Sequence, residues 1–223
     1  MHRLVESIPS PSGERLQTLE IRRATAFSAT QLREAAFMLS TAFDASPLFR
    51  AAFPDAQTRS RTVFLMFRAV LQDALRFGRV EMALNSGTIA GMLIWYPPGL
   101  YPLSIPRMLR LLPDFLRMVA AAPGGIVKLF RAQMKLNRWR PKKPHCHGYF
   151  LGGRAGEQVG SILLKQMFWH ADEMGQPIYL ETQEPRSMNL YSRFGFERLR
   201  DGIETFPGGP LTWTMWREPR LPR

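Results

Sequence analysis

The spacing of hydrophobic residues alternates along the chain between a period of two and a period of about 3.6, which predicts strands and helices in mixed order. Residues 19–22 alternate as a first strand does. Ser28 or Thr30 can cap the helix that follows, which is predicted to end near Thr41. A longer helix is predicted over residues 58–76, because its apolar residues fall on one stripe. That stripe consists of Val63, Phe64, Phe67, Val70, Leu71 and Leu75.

The pattern then changes to a hairpin, a helical segment and a series of strands. Two apolar runs flank the turn sequence Asn85-Ser86-Gly87, which predicts a β-hairpin. Two helices are predicted next, separated by a proline and two glycines. Their bounds are about 105–120 and 125–138, and later strands are predicted at 145–151, 177–180, 196–200 and 211–216. This order of elements is that of a mixed α/β fold.

Length and composition fit one soluble globular domain. The chain has 223 residues, of which 45% are hydrophobic and 22% are charged. We assign residues 18–223 to that domain and residues 1–17, which are rich in Ser, Pro and Gly, to a flexible lead-in. The single cysteine, Cys146, excludes an internal disulfide. With no signal-like start and no apolar run of roughly 20 residues, a cytoplasmic location is expected.

Much of the net charge of +12 is concentrated between Leu100 and Pro144. Asp114 is the single acid there, against Arg107, Arg110, Arg117, Lys128, Arg131, Lys135, Arg138, Arg140, Lys142 and Lys143. Such a segment attracts a diphosphate, an anionic lipid surface or a nucleic acid, although it can equally be a solvated helical face. Aromatic residues are not interleaved with the basic ones for base stacking, so no nucleic-acid partner is expected.

The same segment carries an apolar stripe flanked by arginines. Its residues are Met108, Leu111, Leu112, Phe115, Leu116 and Val119. Such a helix can lie on an anionic membrane or cover an acceptor pocket. We favour the cover, and membrane contact is the less favoured alternative.

Residues 151–161 have the layout of a strand, a glycine-bearing loop and a helix. They read Leu151-Gly152-Gly153-Arg154-Ala155-Gly156-Glu157-Gln158-Val159-Gly160-Ser161. A helix N-terminus offers unpaired N–H groups and about half a positive charge, and small residues let a diphosphate approach the backbone. Alone this signal is weak, because glycine loops before helices often only make turns.

Residues 180–196 are the most informative part of the chain. A buried strand is followed by a short helix that contains Tyr191 and by a Gly195-Phe196 turn. This Y-x-x-x-G-F unit resembles the C-terminal half of the GNAT (Gcn5-related N-acetyltransferase) fold. Within that superfamily the chain resembles the puromycin N-acetyltransferase-like branch of small-molecule acetyltransferases. The matching segments include 42–44, 47–50, 95–99, 149–152, 160–164, 179–182 and 210–216.

The resemblance implies a fold and a reaction. The fold is α/β (α+β), with a mixed, mostly antiparallel central sheet flanked by helices and, here, an inserted helical segment at about residues 100–144. The reaction is direct transfer of an acetyl group from acetyl-CoA, as co-substrate, to the amine of a small molecule. In the family a bulge or splay between two strands, here those ending near Leu151 and Leu180, admits the pantetheine arm like an added strand.

Site residues follow from the resemblance and from the chemistry of aminolysis. Tyr191 falls at the position of the acid that protonates the departing thiolate, although it could simply pack with Phe194 and Phe196. Glu181, at the end of its strand, is our first choice of base for the amine, although it could instead pair with Arg186 or Lys165. The implied acetyl-CoA site consists of Phe150, Leu151, Gly152, Arg154, Gly156, Gln158, Val159, Gly160 and Ser161.

The chain departs from the family pattern in the glycine loop. The family usually runs L-G-V-x-P-x-x-Q-G-x-G-x-G-S, and about three of these residues are missing here. Ala155 and Gln158 replace two signature residues, Glu157 adds an acid that Arg154 would have to counter, and Glu184 replaces a CoA-contacting Asn. The alternative is therefore a GNAT-fold binding or regulatory protein that has lost acetyl-CoA catalysis.

One further pair of residues invites a metal interpretation. His145 and His147 would share a face of their strand and could bind one ion. No further ligand is evident in the sequence, so a strand histidine pair without metal is expected. Neither the acceptor nor the oligomeric state follows from the sequence.

Overall fold

The computed structural model describes residues 4–8 and 17–220 of the chain. In this part of the chain the strands are β1 (Leu4–Ile8), β2 (Gln17–Ala24), β3 (Arg79–Asn85), β4 (Thr88–Tyr96), β5 (Cys146–Gly153), β6 (Ile178–Thr182), β7 (Glu197–Arg198), β8 (Ile203–Glu204) and β9 (Leu211–Arg217). The helices are α1 (Ala29–Ala42), α2 (Pro47–Ala52), α3 (Ala56–Phe77), α4 (Ile105–Arg110), α5 (Leu112–Ala121), α6 (Pro123–Trp139), α7 (Gly160–Glu173) and α8 (Pro185–Arg193).

The strands form one sheet in the order β1-β2-β3-β4-β5-β6-β9-β7, with β8 also beside β9. All neighbouring pairs are antiparallel except β5 and β6, which are parallel. The predicted fold class, a mixed and mostly antiparallel sheet flanked by helices, is confirmed. Where a flexible lead-in was predicted, residues 4–8 form β1 against β2. Residues 1–3 and 9–16 of that lead-in lie outside the described residues.

Local sequence signals explain several element boundaries. Ser28 caps α1 through a reciprocal pair of bonds with Gln31, in which each side chain accepts from the other residue's backbone N–H. Asp55 caps α3 by accepting from the Thr58 N–H at 2.9 Å. Ser86 and Gly87, with φ of 50° and 80°, supply the two left-handed residues of the β3–β4 turn.

Helices cover both faces of the sheet and create two apolar cores. On one face, α7 packs Leu163 and Met167 against Trp95 and Leu180. On the other face, α1, α2 and α3 pack against Met92, Ile94 and Tyr96 of β4. Burial of this surface supplies the main driving force for folding.

The inserted segment contains three helices where two were predicted. The first predicted helix is divided at Leu111 into α4 and α5, because Pro113 occupies the first turn of α5, a position that tolerates proline but favours a new helix start. Two ion pairs fix the segment to α3, one between Arg107 and Asp73 and one between Asp114 and Arg68. None of the helices in the described ranges is both long and apolar enough to cross a membrane.

Candidate active site

The pairing of β5 with β6 ends early, and a cavity opens where the two strands diverge. The strands pair only from Cys146 with Ile178 to Gly148 with Leu180. Beyond Gly148, within the described residues, no strand lies along the β6-facing edge of β5. The cavity, of about 460 Å³, is lined by both strands, by α8 and by the helices on the opposite side.

A β-bulge in β5 coincides with this divergence. Ile94 pairs with Phe150 and Trp95 pairs with Gly148, so Tyr149 is an extra residue on β5. Beside the bulge the Phe150 ring packs edge-on against Phe67, with centroids 4.9 Å apart. The bulge and splay that the family resemblance implied are therefore present.

Glu181 lies on β6 and lines the cavity. The Tyr179 hydroxyl donates to Glu181 Oε1 at 2.9 Å. Burial raises the pKa of the Glu181 carboxyl to about 7, while this hydrogen bond and the charge of Arg140 oppose the rise. Glu181 could have been a structural residue paired with Arg186 or Lys165, but neither forms an ion pair with it in the described structure.

Tyr191 reaches the same cavity from α8. Its side chain is largely buried, and its ring centroid lies 5.7 Å from that of Phe196. Burial, assisted by the negative charge of Glu184, raises the pKa of the Tyr191 hydroxyl to about 12, so the group is protonated at neutral pH. Tyr191 therefore packs against Phe196 and also lines the cavity. Glu181 and Tyr191 are brought to one cavity from separate elements.

The shortened loop closes as a tight turn fixed to β4. The Glu157 N–H donates to the Arg154 carbonyl at 3.2 Å, with Gly156 at φ of 85° between them. Arg154 itself is bound to β4, because its backbone N–H donates to the Ala90 carbonyl and its Nε donates to the Ile89 carbonyl at 2.7 Å. The expected pairing of Arg154 with Glu157 is absent: Glu157 accepts instead from Asn85 at 3.1 Å.

Beyond this turn the backbone enters α7 without a cap. Val159 is buried against Gly91 and Gly153, where its Cγ2 lies so close that a Cβ on Gly91 would approach to 2.4 Å. No side chain caps α7, and Leu163 is the first residue whose N–H bonds back, to the Val159 carbonyl. The N–H groups of Gly160 and Ser161 therefore have no acceptor among the described residues.

These positions divide the nine implied cofactor residues into distinct groups. Phe150, Leu151 and Gly152 line the cavity along the free edge of β5. Gly160 and Ser161 begin α7. The rest lie in the turn and its exit, where Arg154, Gly156 and Gln158 are exposed and Val159 is a core residue.

His147 is a cavity residue that the sequence did not single out for this role. Its ring is only 2% exposed, it stacks on Tyr101 at a centroid distance of 3.9 Å, and its Nδ1 has no hydrogen-bond partner. Burial lowers the pKa of His147 well below its usual value, so the ring is neutral. His147 and His145 are 6.4 Å apart between centroids, and no cluster of three metal-ligating side chains occurs in residues 4–8 and 17–220. In the sequence, the signal that could have indicated this role is the alternation of His147 with Tyr149, which places both on one face of the strand.

The lining of the cavity is apolar and, where charged, acidic. Among the described residues it contains the carboxylates of Glu181 and Glu184 but no Lys or Arg, although the chain as a whole has a net charge of +12. The inserted helices cover the cavity with Phe115, Met118, Ile126, Leu129, Phe130, Gln133 and Leu136. A cation or an uncharged apolar group is therefore favoured in this space over an anion.

No family model matches the chain. Three solved structures to which it is similar are all described as acetyltransferases. A histone acetyltransferase HPA2 and related acetyltransferase from Corynebacterium glutamicum ATCC 13032 shares 24% identity and a TM-score of 0.63, over 91% of this chain and 97% of that one. A GNAT-family acetyltransferase from Desulfovibrio desulfuricans shares 12% identity and a TM-score of 0.53, over 90% and 98%.

The third is arylalkylamine N-acetyltransferase 2 from Aedes aegypti, with 15% identity and a TM-score of 0.53, over 90% of this chain and 99% of that one. At these identities the likeness establishes architecture. The chain has the fold of the GNAT acetyltransferases, with the open, mostly antiparallel sheet and the flanking helices described above.

Proposed function

We propose that the chain is an acetyl-CoA-dependent N-acetyltransferase that transfers an acetyl group directly to the amine of a small molecule. The observation that carries the proposal is the meeting of Glu181 and Tyr191 at one cavity beside the unpaired edge of β5. A carboxyl group that can accept a proton near neutral pH and a phenol that holds one are the two groups that aminolysis of a thioester requires.

The residues around the cavity fit acetyl-CoA. The edge of β5 from Phe150 to Gly152 offers backbone groups to the amides of a pantetheine arm, as an added strand would use them. The free N–H groups of Gly160 and Ser161 at the start of α7 are suited to a diphosphate. Glu157 does not compete for them, since Asn85 holds its carboxylate.

The residues of the chain account for both proton transfers. The bound ammonium first loses one proton to solvent. As the neutral nitrogen then bonds to the acetyl carbon, Glu181 accepts the second proton that the nitrogen loses and afterwards releases it to solvent. As the carbon–sulfur bond breaks, Tyr191 donates its hydroxyl proton to the departing thiolate and regains a proton from solvent. Backbone N–H groups of the bulged part of β5 would stabilise the oxyanion between these two steps.

The acceptor is an amine with an apolar or aromatic body. Phe43, Phe115 and Phe130 offer apolar surface, while Glu181 and Glu184 attract the positive charge that an amine carries before it reacts. The absence of Lys and Arg from the lining disfavours carboxylate-bearing acceptors. Membership of the puromycin N-acetyltransferase-like branch and the cytoplasmic location stay predictions from the sequence.

A second candidate is a binding or regulatory protein that retains the fold without catalysis. The shortened loop favours it, because the turn at Gly156 is tied to β4 through Arg154 and leaves Val159 in the core. In this case the cavity would bind its amine ligand without turnover.

Two measurements distinguish the acetyltransferase from the binding protein. One is calorimetric titration with acetyl-CoA, and the other is an assay of thiol release with a panel of aromatic and aliphatic amines. We expect binding together with amine-dependent thiol release. Binding of the amine without acetyl-CoA binding would instead support the second candidate. The absence of both would contradict the assignment of the cavity as a functional site.

A further inference from the structure

The outer side of the inserted helices exposes an unusual number of large apolar side chains. We call these residues the apolar face: Ile105, Met108, Leu109, Leu112, Leu116, Val127, Phe130 and Met134. Ile105 and Leu109 are 68% and 62% exposed. Contiguous apolar surface of this kind on a soluble protein generally marks a site of interaction.

The spacing of these residues places them on continuous helix stripes. Ile105, Met108, Leu109, Leu112 and Leu116 follow at intervals of three and four residues through α4 and α5, which are separated only by Leu111. Val127, Phe130 and Met134 form the corresponding stripe on α6, which packs against α5. The adjacent sides of α5 and α6 line the cavity, and Phe130 belongs to both surfaces, so covering the cavity and binding a partner use neighbouring sides of the same helices.

Basic residues border the apolar face without acidic partners. Arg131, Lys135 and Arg138 are exposed on α6, beside the stripe of Val127, Phe130 and Met134. None of the three forms an ion pair with a described residue. Asp114, the one acid of the segment, is already bound by Arg68 and Arg117. The positive charge of this surface is therefore available to a partner.

The charge decides between the two simplest partners. A second copy of the chain, joined by a two-fold axis, would place the basic borders of both apolar faces in one interface, where their charges repel. An anionic lipid surface instead accepts apolar side chains at the boundary of its acyl chains and basic side chains among its phosphates. We propose that the apolar face, bordered by Arg131, Lys135 and Arg138, docks the protein on the surface of an anionic lipid bilayer.

Docking in this orientation bears on the cavity. Phe115 and Phe130 line the cavity and are exposed on the outer side of α5 and α6, so they form its rim. A docked molecule would hold this rim at the lipid boundary, where amines with apolar bodies concentrate. This consequence rests on the proposed function, whereas docking itself does not.

Sedimentation with lipid vesicles tests docking independently of any acetyl transfer. The probes are vesicles of phosphatidylcholine alone and vesicles that also contain phosphatidylglycerol. We expect binding to the anionic vesicles, weakened by salt, and little binding to the neutral ones. The double variant Ile105→Glu/Leu109→Glu should weaken this binding about tenfold or more, because it removes two inserted side chains and adds two repelled charges.

The matched control is Phe37→Glu/Leu199→Glu, which makes the same chemical change at residues that are 65% and 41% exposed outside the segment. It should change vesicle affinity far less. A second variant, Arg131→Gln/Lys135→Gln, should reduce the salt-sensitive part of binding without adding negative charge. Circular dichroism establishes that each variant is folded.

Three results would overturn docking. One is the absence of wild-type binding to anionic vesicles, and another is equal weakening by the two glutamate double variants. The third is a wild-type dimer, measured by light scattering, that Ile105→Glu/Leu109→Glu converts to monomer without an effect on vesicle binding.

Discussion

Tyr179 and Glu181 share one face of β6, and the tyrosine hydroxyl donates to the glutamate carboxylate at 2.9 Å. Residues at positions i and i+2 of a strand point to the same side, so this contact follows directly from strand geometry. The bond stabilises the ionised carboxylate, while burial destabilises it more strongly and raises the pKa of Glu181 to about 7. Glu181 therefore titrates in the range in which a base for amine acylation is useful.

The first prediction concerns the pH dependence of turnover. For the wild-type protein, kcat/KM should rise with pH through about 7, as Glu181 becomes ionised. Glu181→Gln should lower kcat/KM by about 100-fold or more at alkaline pH and remove this inflection. Initial rates across the pH range measure both effects. An inflection that persists in the variant would assign the titration to another group.

Loss of the hydrogen bond from Tyr179 to Glu181 should shift the pH at which kcat/KM inflects. Tyr179→Phe removes a bond that favours the ionised carboxylate, so the pKa of Glu181 should rise by about one unit or less. The pH at which kcat/KM reaches half its plateau should shift upward, with the plateau itself little changed. A downward shift would show that Tyr179 does not act through the charge of Glu181.

Glu181 should also affect folding stability in a defined pH window. Its pKa is about 7 in the folded protein, above the ordinary value of 4.5, so the folded state retains a proton that the unfolded state loses between these values. Stability contributed by this carboxyl is thus complete below pH 4.5 and is lost as the pH rises to about 7. Urea denaturation should show the wild-type protein losing stability relative to Glu181→Gln across this window. A constant difference between the two proteins would contradict the raised pKa.

Tyr191→Phe should separate catalysis from binding. The ring continues to pack against Phe196, but the proton for the departing thiolate is lost. We expect kcat to fall by about 100-fold, with the dissociation constant for acetyl-CoA changed by less than about threefold. Calorimetry and single-turnover kinetics measure the two quantities. Unchanged turnover would remove Tyr191 from the mechanism and leave it a packing role.

The ion pair between Asp73 and Arg107 should fix the inserted segment to α3. Both side chains are buried, and Asp73 also accepts from the Tyr96 hydroxyl at 2.7 Å. Asp73→Asn leaves the Arg107 charge without compensation and should lower the free energy of unfolding by about 3–5 kcal/mol. The control is Arg22→Gln, which breaks an exposed pair with Glu20 and should cost no more than about 1 kcal/mol. Similar losses in the two variants would mean that burial of the Asp73 pair contributes little.

Local patterns in the sequence account for most of the elements and for the helix that carries Tyr191 of the candidate site. The capping signal at Ser28, the Asn85-Ser86-Gly87 turn and the stripe of α3 each act over a few residues, so their structure can be inferred without knowledge of the rest of the chain. The Y-x-x-x-G-F unit similarly placed Tyr191 on a short helix before a Gly-Phe turn.

Contacts between distant parts of the chain decided which side chains meet in the folded protein. Asn85 holds Glu157 across 72 positions, and Asp73 meets Arg107 across 34, pairings that no hydrophobic period encodes. The β5–β6 pairing ends at Gly148, where the cavity opens, and beside this point Phe150 of β5 packs against Phe67 of α3, a residue distant in the sequence. The pKa of Glu181 likewise depends on the burial that these contacts create. The sequence alone determined most of the helices and strands, apart from β1 and the division of α4 from α5, because that choice is largely local. The tertiary structure alone decided which side chains share the cavity and in what charge state, because burial and proximity exist only once the chain has packed.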